Sequence, residues 1–161
     1  MSDKTTDNAY LRLIEIGKAL SAERNIDSLL QHILEEAKSL ATADAGTIYL
    51  NLDKISLKFA IVLNDTLDSR RDNPSSPMNL PDISLYNSDG SPNLNNIASS
   101  AAHSGETIVV GDVASIEELG FSGPKKFSKL LDYPTISLLT VPLKTMADES
   151  LGVLQLLNAT D

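Results

Sequence analysis

The stretch from 135 to 158, TISLLTVPLKTMADESLGVLQLLN, limits the possible folds more than any other part of the chain. Two apolar runs, ISLLTVPL and LGVLQLLN, flank the polar turn MADES. A strand with one wet face alternates apolar and polar residues, whereas a run apolar at successive positions needs cover on both faces. The pattern therefore predicts a hairpin inside a sheet, with the last strand central and helical layers on either side.

The upstream sequence supplies that cover. Residues 5–24 read as a helix with Tyr10, Leu13, Ile14, Gly17 and Leu20 on one stripe and Leu11 and Ile16 off it. Apolar width of this kind fits packing on the same domain, and it fits equally a parallel dimer with a second copy. A second helix starts at Asp27 as N-cap and places Ile26, Leu29, Leu30, Ile33, Leu34, Ala37 and Leu40 within one arc. Residues 45–53 and 56–65 are β-rich and form a hairpin with Asp53 and Lys54 at its tip. A long polar stretch, 66–92, carries Pro74, Pro77, Pro81 and Pro92, and a loop of that length is commonly functional or mobile.

Asn93 is the expected N-cap of a small-residue helix, NLNNIASSAAHSGE, closed by Gly105. TIVVGDV, residues 107–113, reads as a third strand, SIEELGF as a helical turn and loop, and GPKKFSKLLD, 123–132, as a short helix. The two long helices are expected on one face of the sheet and the 93–132 segments on the other.

Several classes of function drop out on composition. A chain of 161 residues suits one domain. Thirteen Lys and Arg against 22 Asp and Glu give a net charge of -9, which argues against nucleic-acid backbones and anionic membranes as partners. With no cysteine, disulfides, thiolate catalysis, zinc-thiolate sites and thioether-linked chromophores are excluded. No run of about 18 apolar residues is present and the start, MSDKTTDNAY, lacks a signal-peptide layout, so a cytoplasmic location is the default expectation.

The individual polar residues give weak catalytic signals. His32 lies away from the apolar arc and reads as a surface histidine, while His103 sits near a helix end, where positive charge suits the dipole. Asp112 is either a pocket residue after a strand or a cap for the next turn. Glu117 and Glu118 diverge by about 100° on a helix and read as a solvated face. Ser99, Ser100 and Ser104 lack a nearby base or a strained elbow, and no P-loop or dinucleotide fingerprint occurs.

Three separated segments, PNLNNIASSAAHSGETIVVGDV, FSGPKKFSKLLDYPTISLLTVPL and LGVLQLLNA, resemble the GAF family of sensory domains. They look like those ahead of bacterial cyclic-nucleotide cyclases, phosphodiesterases and HD-type phosphohydrolases. The likeness spans roughly 26–160. It implies an α/β (α+β) fold, GAF-like or PAS-like, with a central six-stranded antiparallel sheet and helices on both faces. It also implies a domain at 26–161 preceded by a dimerising or signalling helix at 1–25, and a small-molecule pocket roofed by the long loop and the two short helices.

In relatives that bind cyclic nucleotides, the phosphate meets backbone amides at a helix start and the base lies on aromatic side chains. By position, this implies phosphate-side residues Asn96, Ile97, Ala98 and Ser99, base-side residues Phe121, Phe127 and Tyr133, and Asp112 and Thr135 as further lining. Phe121, Phe127 and Tyr133 suit core packing about as well as ligand stacking. Where close relatives read Phe-Asp-x-x-Thr-Gly-Tyr, this chain has Ser128, Leu131 and Asp132 at the Asp, Thr and Gly positions, which counts against a cyclic nucleotide as the ligand.

The family reading is a non-enzymatic sensor that binds a small molecule, a cyclic nucleotide among the candidates, expected as a homodimer that regulates a C-terminal effector, with no cofactor assigned. Its alternative is a dimerisation module whose pocket is filled by its own side chains. One GAF branch reduces free methionine sulfoxide, a chemistry that needs cysteines and is rejected for this chain. The stop after a core strand, with Ala159 following Asn158, suggests a helix and an output domain beyond residue 161.

Overall fold

The structure, a computed structural model, describes residues 3–68, 80–116, 120–121 and 123–160, without the side chains of 3–10, 115, 125 and 127. Helix α1, Asp3–Ala22, precedes α2, Ile26–Leu40. Strands β1, Ala43–Leu50, and β2, Ser56–Asn64, are followed by a turn of helix α3, Asp65–Asp68, and a short strand β3, Ile83–Ser84. Helix α4, Ile97–Ser104, leads to β4, Ile108–Val110, then α5, Gly123–Leu131, and the strands β5, Leu138–Lys144, and β6, Ser150–Ala159.

The six strands form one antiparallel sheet in the order β3-β2-β1-β6-β5-β4. The last strand is thus central, as its unbroken apolar run requires. Its residues sort strictly by face. Leu154 and Leu156 join Leu34 of α2 and Ile48 of β1 in one core. Val153 joins Tyr49, Leu57, Leu85 and Ala98 on the other face, where Leu157 also packs with Ile97, Val110, Tyr133 and Leu138. Helix α2 therefore covers one face and α4 the other.

Close pairing at the sheet centre depends on a glycine. A Cβ on Gly152 would sit 2.0 Å from the Tyr49 carbonyl oxygen, which no rotamer can relieve. Pro142 lies beyond the part of β5 that β4 covers, so its missing N–H leaves the β4 ladder intact.

Helix boundaries depart from expectation at two caps. Asn25, not Asp27, caps α2, its side-chain oxygen accepting from the N–H groups of Asp27 and Ser28. Asn96, not Asn93, caps α4, because Asn93 instead donates its side-chain amide to the Ser84 carbonyl. Gly105 closes α4 in the left-handed conformation, φ 68°. The long polar stretch contains an element that no periodicity announces, the two-residue β3, paired with Ser56 and Leu57. Its positions 69–79, with Pro74 and Pro77, lie outside the described residues, as do Glu117 and Glu118.

Helix α1 turns the unexpected way. The row Arg12, Ile16, Leu20, spaced by four, faces α2: Ile16 and Leu20 are half-buried, and Arg12 binds Ser39 Oγ at 2.8 Å and Glu36 at 3.3 Å. Leu13 and Ile14, placed on the expected stripe, are 53% and 54% exposed. Leu11 is 62% exposed.

Candidate functional site

A cleft of about 50 Å³ lies between the sheet and the start of α4. Its floor is Tyr49 of β1 with Gln155 and Leu157 of β6, side chains that share a face because they alternate along paired strands. Its roof is Asn96, Ile97 and Ala98 at the start of α4, with Gly123 and Pro124 at the start of α5. Thr135 and Leu138 close one side.

The polar groups of the floor are linked. The Tyr49 hydroxyl donates to Gln155 Oε1 at 3.3 Å, and Gln155 Nε2 donates to Thr140 Oγ1 at 2.9 Å. Burial pushes the Tyr49 hydroxyl well above the usual tyrosine range, partly offset by a hydrogen bond with Thr47. It therefore stays a neutral donor at any physiological pH.

In the roof, Asn96 Oδ1 accepts from the Ser99 N–H at 3.2 Å, as an N-cap must. Its Nδ2 lies beside Gly123 at the start of α5. Ser128 anchors α5 to the chain ahead of β5. Its Oγ donates to Thr135 Oγ1 and accepts from the Thr135 N–H, both at 3.1 Å. Nearby, Asp132 holds a left-handed φ of 48°, the conformation glycine adopts most readily and the position where the resemblance places a glycine.

Of the residues singled out from the sequence, Asn96, Ile97, Ala98 and Thr135 line this cleft. Ser99 is fully buried one residue further along α4, with its hydroxyl toward the Leu85 carbonyl at 3.5 Å. Asp112 caps the 3-10 turn Val113–Ser115 by accepting from the Ala114 N–H at 2.8 Å. Phe121 is half-buried against the core cluster that contains Tyr133. Tyr133 is 2% exposed; its hydroxyl donates to Asp44 Oδ2 at 2.7 Å and accepts from Asn158 Nδ2 at 2.8 Å. The Phe127 side chain lies outside the described residues.

His103 hydrogen-bonds the Leu85 carbonyl through Nε2 at 2.6 Å, and His32 lies 3.9 Å from Glu36 on α2. Among the described residues, no group of three or more His, Asp or Glu is placed to hold a metal ion.

Sequence reasoning missed the floor. Tyr49 and Gln155 are 106 positions apart and meet only through strand pairing. One signal was present: Gln155 is the lone polar side chain inside the run LGVLQLL.

This architecture, a six-stranded antiparallel sheet with a cleft beneath the start of a short helix, is that of a small α/β (α+β) domain. The GAF domain family model matches residues 25–161, and the chain belongs to that family. Among solved structures, the GAF domain of the Acinetobacter phosphoenolpyruvate-protein phosphotransferase is similar, with a TM-score of 0.67 at 15% identity, covering 99% of this chain and 80% of that one. The free methionine-R-sulfoxide reductase of Neisseria meningitidis, solved with its substrate, has a TM-score of 0.61 at 20% identity, over 91% of this chain and 70% of that one. A Staphylococcus aureus NreA protein mutated in its nitrate binding site has a TM-score of 0.55 at 16% identity, over 83% and 86%. At these identities the likeness shows the fold alone. No curated protein matches the chain in sequence. No described helix is long and apolar enough to cross a membrane.

Proposed function

We propose that the domain is a non-enzymatic sensor that binds a small molecule in the cleft beneath α4 and reports occupancy to a linked effector. The observation that carries this reading is the cleft itself. It gathers Asn96, Thr135, Gln155 and Tyr49 around apolar Ile97, Leu138 and Leu157, a few polar residues in an apolar wall. A ligand that prefers one arrangement of α4 and α5 over another shifts the population between them. The absence of cysteine counts against reductase chemistry that works through a thiol.

Ligand size narrows the class. A cleft of about 50 Å³ has room for a few heavy atoms, whereas drug-sized ligands fill about 300 Å³ or more. A compact polar molecule or anion fits the described cleft, and the nitrate binding site of NreA supports a ligand of that scale in this fold. A cyclic nucleotide is larger than the described cleft and would need it to open; a cyclase, phosphodiesterase or HD-type phosphohydrolase as linked effector rests on the family resemblance alone.

The second reading, an interaction module without a ligand, is favoured by α1, whose Leu11, Leu13 and Ile14 are more than half exposed. In that reading α1 pairs with a second copy in a homodimer. Calorimetry of the purified domain against nitrate, formate, cyclic AMP, cyclic GMP and purines separates the two. Saturable heat from a compact ligand supports the sensor. Silence across the panel, with a dimer that Leu13→Glu dissociates, supports the module.

A further inference from the structure

A second concavity, about 400 Å³, lies at the C-terminal end of α4, between the β1–β2 tip and the β5–β6 turn. Its walls combine opposite charges with apolar surface. Lys54, held at the tip with φ 62°, and Glu149 both line it, and neither has an ion pair among the described residues. Asn51 and Ser150 belong to the same wall, with their side-chain oxygens Oδ1 and Oγ buried beneath its surface.

The rest of the lining is apolar or aromatic. Leu85, Ala102 and Leu151 line the groove, and the Tyr86 ring stands edge-on to His103 with centroids 5.2 Å apart. Because His103 Nε2 faces a carbonyl at 2.6 Å, it carries the ring proton, so in the neutral ring Nδ1 is an acceptor.

The geometry points to a binding site for a small zwitterion with an apolar side chain, of the α-amino-acid class. Its ammonium pairs with Glu149, its carboxylate with Lys54, and its side chain lies against Leu151 and Tyr86. Charge selects this class over simpler ions. A plain anion would stand beside Glu149 uncompensated, and a plain cation beside Lys54. A zwitterion satisfies both ends and is neutral overall.

The test is a titration of the 15N-labelled full chain with L-phenylalanine, 3-phenylpropanoate and 2-phenylethylamine, followed by amide chemical shifts. L-Phenylalanine is expected to move the signals of Asn51, Lys54, His103 and Ser150 saturably at about millimolar concentration. The two singly charged analogues, and the variants Lys54→Ala and Glu149→Gln, are each expected to bind about 2- to 5-fold more weakly. Circular dichroism confirms that the variants fold. Absence of shifts with the wild-type chain, equal binding of the analogues, or shifts confined to Asn96, Gly123 and Thr135 would each overturn the proposal. This site is separate from the cleft beneath the start of α4, so its failure leaves the sensor reading standing.

Discussion

Tyr133 shows how one residue can look like a ligand contact in sequence and act as a fastener in the fold. Its ring fills the core, and its hydroxyl joins Asp44 at the start of β1 to Asn158 at the end of β6. Removing that hydroxyl deletes two hydrogen bonds, so Tyr133→Phe is expected to lower stability by about 1–2 kcal/mol in urea unfolding, without changing the fold. Proton linkage makes a second prediction. Burial foremost, together with the Asp44 hydrogen bond, raises Tyr133, and burial raises Tyr49. Groups raised on folding stabilise fully below their unfolded value of 10.0, so stability should fall as pH rises beyond it. On the acid side, the Ile55 and Ser56 amides hold Asp53 down to about 2 from 3.8, so its contribution is present above 3.8 and is lost as pH falls toward 2. Melting midpoints recorded across pH should show both declines.

At the scale of elements, what the sequence made legible follows from what each element buries. Helix α2 was readable because a 15-residue amphipathic arc has only one solution, and Leu34 at its centre is fully buried. Leu34→Ala should therefore cost about 2–5 kcal/mol, read as a drop in denaturation midpoint. The β5–β6 ribbon was readable because residues apolar at successive positions leave no face for water. Gly152→Ala, which drives a Cβ onto the Tyr49 carbonyl, should destabilise by about 3 kcal/mol and spread amide shift changes along β1. By contrast, β3 has two residues and exists because β2 pairs with it, so no local pattern could reveal it. The orientation of α1 was equally hidden. Each of its rows carries apolar residues, and only the half-burial of Ile16 and Leu20 and the Arg12 contacts to Glu36 and Ser39 show which one faces α2.

For the whole molecule, the two-layer cover of the sheet was legible and the cleft only in part. Its roof, Asn96 to Ala98, is a continuous segment with a capping signal. Its floor joins strands from opposite ends of the chain, a proximity that local sequence does not encode. The central claim is that this roofed cleft takes a compact ligand. It is tested most directly by titrating the 15N-labelled domain with nitrate, formate, cyclic AMP, cyclic GMP and purines and following its amide signals. The sensor account predicts saturable movement of Ile97, Ala98, Gly123 and Leu138 with at least one compact member of that panel. A well-dispersed spectrum in which those four signals stay fixed at about millimolar concentrations of every compound would contradict it.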